Sequence, residues 1–299
     1  MFKKAFQVAS EFTRPVVMTR RSVDGRCGCG NGAFIVINDE GWALTAAHIV
    51  RQISDLQNEE QGNAGRDAAA AKIRSDASLT DKARRSKLQA LGKVDPSSTR
   101  NASVWWGGVA DGLEELFSYP SLDLAIIKLR GFRAGSVTQF PVFKGPEGID
   151  SPGTSLCKLG YPFFTGHPEW DEGNRTFTYP PDELPPALFP IEGMMTRLQS
   201  VKLVDSDGKP VHIDGPLQFL ETSTPGLKGQ SGGPIFDATG VIWAIQCLTT
   251  HLDLGFEAKL HVNGKEHTEH QFINLGLGPA SNTIIYLLNK HGISHAKFS

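Results

Sequence analysis

Three short contexts hold residue types that can carry out nucleophilic chemistry together. Thr45-Ala46-Ala47-His48 closes a strand, Asp123-Leu124-Ala125-Ile126-Ile127-Lys128-Leu129 opens one, and Gly229-Gln230-Ser231-Gly232-Gly233-Pro234 forms a glycine-rich turn. A serine hydroxyl is a poor nucleophile until an imidazole takes its proton. The imidazole in turn needs a carboxylate to fix its tautomer and stabilise its cation. His, Asp and Ser are therefore the side chains that acyl transfer requires. The glycines have a separate use, because backbone N–H groups must point at the oxyanion from a tight loop that the substrate can approach. The N–H groups of Gly229 and Ser231 are assigned that role, and losing one such donor typically costs on the order of 10²- to 10³-fold in rate.

Taken singly, each context has an ordinary structural meaning. A Ser between glycines is most often a turn, a His at a strand end is structural, and an Asp opening a strand is a cap. The order His, Asp, Ser along the chain distinguishes the two readings, because it is the order of one known template.

These segments resemble those of the chymotrypsin-like (trypsin-like) serine peptidases. The resemblance implies His48 as general base, Asp123 as its orienting carboxylate and Ser231 as nucleophile, on two six-stranded antiparallel β-barrels. Within that superfamily the chain resembles the bacterial HtrA (Deg) branch. Phe219-Leu220-Glu221-Thr222 followed by Gly229-Gln230-Ser231 is similar to that branch's Phe-Ile-Gln-Thr and Gly-Asn-Ser-Gly-Gly-Pro. Gly276-Leu277-Gly278-Pro279-Ala280-Ser281-Asn282 and the glycine-rich Gly28–Ile35 entry are similar less closely.

The departures from the family are informative. Position 230 is Gln where secreted digestive members carry an Asp that pairs with a new N-terminus, so activation by that ion pair is not expected. A PDZ module after the catalytic segments, and peptide-tail regulation through it, are not expected. The resemblance puts Pro225, six residues before the nucleophile, at the floor of the primary specificity pocket, with Gly226 beside it. No acidic side chain awaits Arg or Lys there, so a small or medium apolar residue is the expected preference. Gln246 and Cys247 are expected on the strand that pairs with the substrate backbone.

The elements that must hold these residues read as β. Ala33–Ile37, a turn at residues 38–41 and Trp42–Thr45 form a hairpin pattern ending just before His48. Residues 51–103 are charged and Ala-rich, and predict one or two solvated helices inserted into a β chain. Residues 161–190, rich in Pro and aromatics, predict a long ordered loop. Asp207-Gly208 and Asn263-Gly264 mark two further hairpins. Asn282–Asn289 predicts a terminal helix capped by Ser281 or Asn282. The expected architecture is an all-β single peptidase unit over residues 1–299. Its N-terminal barrel spans 15–135 with the helical insertion at 51–103, and its C-terminal barrel and terminal helix span 136–299.

Composition excludes other classes. A formal net charge of -2 supplies no basic field for nucleic acid or an anionic membrane. No run approaches the ~20 apolar residues of a membrane span. After Met1-Phe2-Lys3-Lys4 the apolar core of a signal peptide is interrupted by Gln7, Ser10, Glu11 and Arg14, which favours the cytoplasm. Four cysteines, at 27, 29, 157 and 247, are expected as reduced thiols. His261, His267 and His270 cluster near one turn without a completing Cys or carboxylate, so neither metal nor cofactor is expected. The expected partner is a protein or peptide substrate, with the 51–103 and 161–190 insertions as places for a regulator. The competing expectations are a silent binding or scaffold protein on the same fold, and a peptidase held latent by the 161–190 loop.

Overall fold

The computed structural model describes residues 1–201, 203–204, 210–211, 215–262 and 265–298. The helix α1 (Lys3–Phe12) leads into β1 (Thr13–Ser22), β2 (Cys27–Val36) and β3 (Trp42–Ala46). Two helices follow, α2 (Ala47–Ser75) and α3 (Asp81–Ala90), and then β4 (Thr99–Trp106), β5 (Gly112–Tyr119) and β6 (Leu124–Arg130). The six strands make one antiparallel sheet in the order β4-β1-β2-β3-β6-β5. The hairpin β2–β3 forms where expected, with Phe34 opposite Thr45 and Val36 opposite Ala43. The insertion is helical as expected, and α2 begins at Ala47 so that His48 lies in its first turn. Few of its residues are apolar enough to bury. Ile49, Val50 and Ile53 reach the core, and most of the remainder faces solvent.

The second half comprises β7 (Val142–Lys144), β8 (Ser155–Gly160), β9 (Glu169–Asp171), β10 (Thr176–Thr178), β11 (Phe189–Ser200), β12 (Leu203–Val204) and β13 (Pro210–Val211). They are followed by β14 (Gln218–Thr222), β15 (Pro234–Phe236), β16 (Ile242–Ile245), β17 (Leu248–Val262), β18 (Lys265–Pro279), α4 (Ser281–Lys290) and β19 (Ala296–Phe298). The main sheet has nine strands rather than six, in the order β17-β18-β14-β11-β8-β15-β16-β7-β19. Six of them close on themselves. Cys247 N–H donates to the Leu277 carbonyl at 3.0 Å, and Ala244 bridges Ala280, so that β16 returns to β18. The extra strands are the parallel pairings of β7 with β16 and β19, and β17, which extends β18 as a long hairpin.

Three details differ from expectation. The helix α1 was not anticipated, yet Ala5, Ala9 and Phe12 recur at helical spacing and are buried. Phe2, just before it, meets the ring of Phe236 edge-on in the second sheet. The N-cap of α4 is Ala280, with no side-chain cap. Ser281 instead donates its hydroxyl to the Lys144 carbonyl at 2.7 Å, and Asn282 donates to Gln218 Oε1 at 2.6 Å. Residues 161–190 contain the small β9–β10 hairpin and lie against the first sheet. Tyr179 and Thr19 share a hydroxyl hydrogen bond of 2.6 Å, and Arg21 pairs with Glu172. The Asp207-Gly208 and Asn263-Gly264 turns, and the side chains of His261, His267 and His270, lie outside the described residues.

All four cysteines are free thiols, Cys157 and Cys247 buried and Cys27 and Cys29 half-buried. Among the described residues no helix is long and apolar enough to cross a membrane.

Candidate active site

Asp123 and His48 are joined before any substrate arrives. A single 3₁₀ turn, Pro120–Leu122, ends on Asp123, whose φ of 46° lies in the left-handed region that Asp tolerates better than most residues. That backbone aims both of its oxygen-bearing groups at the start of α2. Ala46, the N-cap of α2, offers no side-chain acceptor, and Asp123 supplies what it lacks. The Asp123 carbonyl accepts the Ala47 N–H at 3.1 Å, and its Oδ1 accepts the His48 N–H at 2.8 Å. The second carboxylate oxygen, Oδ2, lies 2.7 Å from His48 Nδ1. One residue thus caps the helix and orients the imidazole.

Ser231 comes from the other half, and glycines let the two halves meet. The Ser231 carbonyl accepts the Ala33 N–H of β2 at 2.8 Å. Gly232 follows at φ +85°, where a side-chain carbon would collide with the Ala33 carbonyl and the Thr45 hydroxyl. Only glycine allows that approach. Gly232 N–H donates to the Gln246 carbonyl and Gln246 N–H to the Gly233 carbonyl, both at 2.8 Å. The nucleophile loop is therefore fastened to both sheets.

His48, Asp123 and Ser231 line one open cleft of about 700 Å³, together with Arg51, Ser54, Leu116, Cys247 and Thr249. No residue of 161–190 lines this cleft, so that loop does not plug it. Among the described residues no hydrogen bond joins His48 to Ser231. Nucleophile–base contacts in unliganded enzymes are commonly long and tighten in the substrate complex.

The loop also presents unused donors. The N–H groups of Gln230, Gly232 and Gly233 donate to the carbonyls of Leu227, Gln246 and Gln230. Among the described residues those of Gly229 and Ser231 donate to none. Gly229 has φ +94°, and its carbonyl accepts the Tyr161 N–H at 2.9 Å. The Tyr161 carbonyl in turn accepts from Asn31 Nδ2 at 2.6 Å, bracing the loop from the first sheet. Gln230 is fully buried, and its Oε1 accepts the Leu227 N–H at 3.0 Å.

The residues expected around the specificity pocket are placed differently from one another. Pro225 and Gly226 do not line the cleft that holds Ser231, but Gly226 hydrogen-bonds to Thr249, which does. Gln246 and Cys247 fall in the joint between β16 and β17 rather than within a strand, and both of their N–H groups are spent internally, on Gly233 and Leu277. The exposed strand beside the cleft begins at Leu248. Behind Pro225 is a residue that sequence reasoning missed. Lys158 of β8 is 1% exposed, and its Nζ donates to the Thr224 carbonyl at 2.5 Å, the Pro225 carbonyl at 2.7 Å and Thr222 Oγ1 at 3.3 Å. Burial lowers its pKa from an ordinary 10.5 to about 7. Burial raises that of the Cys247 thiol well above its usual range, so this sulfur beside the cleft is held as a neutral thiol.

No curated protein matches the chain. Among solved structures it is similar to the Rv3671c protease from M. tuberculosis in its active form, at 14% identity and a TM-score of 0.46, covering 98% of this chain and 86% of that one. It is also similar to the serine endoprotease from Yersinia pestis, at 15% identity and a TM-score of 0.43, covering 98% of this chain and 66% of that one. The family model described as the trypsin-like peptidase domain matches residues 30–245, most of the chain, and the protein belongs to that family.

Proposed function

We propose that this protein is a serine endopeptidase that cleaves protein or peptide substrates through an acyl-enzyme. Ser231 Oγ attacks the scissile carbonyl, and His48 Nε2 takes the hydroxyl proton and passes it to the departing amine. Water, activated by the same imidazole, then releases the acyl group. Asp123 keeps Nδ1 protonated and stabilises the imidazolium. The Gly229 and Ser231 N–H groups receive the oxyanion.

The observation that carries this reading is the pre-formed His48–Asp123 pair, 2.7 Å apart, in the same cleft as Ser231. The unused N–H groups of Gly229 and Ser231 support it, because the loop's other donors are satisfied and these two are left for a ligand.

A fluorophosphonate probe tests the proposal. Wild type is expected to label and Ser231→Ala to remain unlabelled. Labelling that survives the substitution removes Ser231 from its role, and a wild type that never labels supports a silent scaffold.

A further inference from the structure

The stretch 246–249 reaches the Ser231 cleft through Cys247, Leu248 and Thr249, and the wall 222–226 is joined to it by the hydrogen bonds of Gly226 and Thr249. By the resemblance to trypsin-like peptidases, the side chain of the residue on the acyl side of the scissile bond enters between them. In this protein that space is already filled from within. Gln246 is 1% exposed, and its Nε2 donates to the Leu248 carbonyl at 2.7 Å and the Leu277 carbonyl at 3.3 Å. A side-chain carbon added at Gly226 would overlap the Gln246 carboxamide, and one added at Gly276 would lie 2.8 Å from its Oε1. The carboxamide therefore reaches from one wall to the other, and glycines on both sides make room for it.

The surroundings hold this arrangement shut. Gly226 N–H donates to Thr249 Oγ1 at 3.0 Å, and the Thr249 hydroxyl donates back to the Gly226 carbonyl at 2.9 Å. The Thr224 carbonyl accepts the Gly276 N–H at 2.8 Å. From behind, the three hydrogen bonds of Lys158 tie the same wall to β8. A large substrate side chain would have to evict Gln246 and separate Gly226 from Thr249. Among the described residues the buried Gln246 Oε1 has no hydrogen-bond partner, so the carboxamide stays in place through its Nε2 bonds and its fit between the walls.

We propose that Gln246 is the specificity-determining residue of this peptidase, a built-in plug that confines cleavage to bonds whose acyl-side residue is Gly, Ala or Ser. This rests on the serine peptidase reading above and sharpens its substrate class. It also narrows the small-or-medium preference that the sequence suggests.

The test uses peptidyl diphenyl phosphonates that differ only in an acyl-side Ala or Phe analogue. Rates are normalised to those of a fluorophosphonate that carries no peptide. Wild type is expected to react with the Ala analogue at least ~10-fold faster than with the Phe analogue, in line with the discrimination that pocket size provides. Gln246→Ala should shift that ratio toward Phe by at least ~10-fold. Gln246→Met, which refills the space without the carboxamide, should keep the wild-type ratio. Thr249→Val removes both hydrogen bonds to Gly226 and should move the ratio toward Phe even if Gln246→Ala does not fold. A wild type that accepts Phe as readily as Ala overturns the plug. So does an unchanged ratio in Gln246→Ala or, where that variant yields no folded protein, in Thr249→Val. A wild type inert to the fluorophosphonate overturns the peptidase reading, and this proposal with it.

Discussion

Lys158 sets burial against hydrogen bonding at one buried ammonium. Desolvation pushes it toward neutrality, to about 7, whereas the oxygens of Thr222, Thr224 and Pro225 favour the charge. In the unfolded chain the group returns to a pKa of roughly 10.4. Between those values the unfolded state binds more protons than the folded one, so stability rises with pH at about 1.4 kcal/mol per unit. Below about pH 7 both states are protonated, and the fold bears the full cost of burying the charge. Lys158→Met keeps much of the side chain and removes the titration. It also leaves the Pro225 carbonyl without its donor, a loss of about 1–3 kcal/mol that does not vary with pH, while the Thr224 carbonyl keeps the Gly276 N–H. The gap between wild type and Lys158→Met should therefore move in favour of the wild type by about 2 kcal/mol between pH 7 and pH 9. Urea unfolding followed by tryptophan fluorescence at several pH values measures that gap directly. A gap that stays constant across the window would refute the reasoning and show that the three oxygens hold the ammonium charged.

Three further substitutions probe how the proposed triad is held. Asp123→Asn retains an oxygen for the His48 N–H but presents the wrong partner to Nδ1. Acylation rates should fall roughly 10⁴-fold while thermal stability is nearly kept. Asp123→Ala also removes the acceptor at the start of α2, and should cost about a further 1 kcal/mol in denaturant unfolding. If both variants unfold at the same midpoint, the capping role is wrong. Gly232→Ala places a side-chain carbon at φ +85° against the Ala33 carbonyl. It should destabilise the protein by about 1–3 kcal/mol and reduce fluorophosphonate labelling of Ser231. A variant with wild-type stability and labelling would mean that the contact between the two sheets yields without consequence.

The peptidase family was legible in the sequence because the proposed acyl transfer demands particular residue types, and each of these stands in a short local context. His48 follows a hairpin of apolar runs, and Ser231 stands in a glycine-rich run that the order His, Asp, Ser lifts above an ordinary turn. The hairpin β2–β3 and the helical insertion were legible for the same reason, since period and composition are local properties. What escaped depends on partners far along the chain. Lys158 sits in Leu156-Cys157-Lys158-Leu159, all buried, and nothing within that strand announces that its acceptors come 64 to 67 residues later. The capping function of Asp123 reaches back 75 residues. The cap expected from Ser281 or Asn282 is realised only in part: the Ser281 hydroxyl goes to the Lys144 carbonyl, while Asn282 Oδ1 accepts the Thr283 N–H at 2.8 Å and its Nδ2 reaches Gln218. The helix α1 was different. Its spacing of Ala5, Ala9 and Phe12 is local, but the ring that the adjoining Phe2 meets, Phe236, lies more than 200 residues away in the second sheet.

Gln246 shows most clearly where sequence and structure divide the work. Its position in the chain marks it as a neighbour of the cleft, but not the direction of its side chain. That direction follows from absences elsewhere, the missing side chains of Gly226 and Gly276, which leave a space that a carboxamide fits. On the plug proposal, specificity is set by three positions read together, a filler and the two glycines that admit it. A Gly226→Ala change should accordingly act on Gln246 before it acts on substrate. The added carbon would push the carboxamide from its slot, and the Ala-over-Phe ratio should shift in the same direction as in Gln246→Ala. A Gly226→Ala protein that folds, labels and keeps the wild-type ratio would show that the two positions do not communicate.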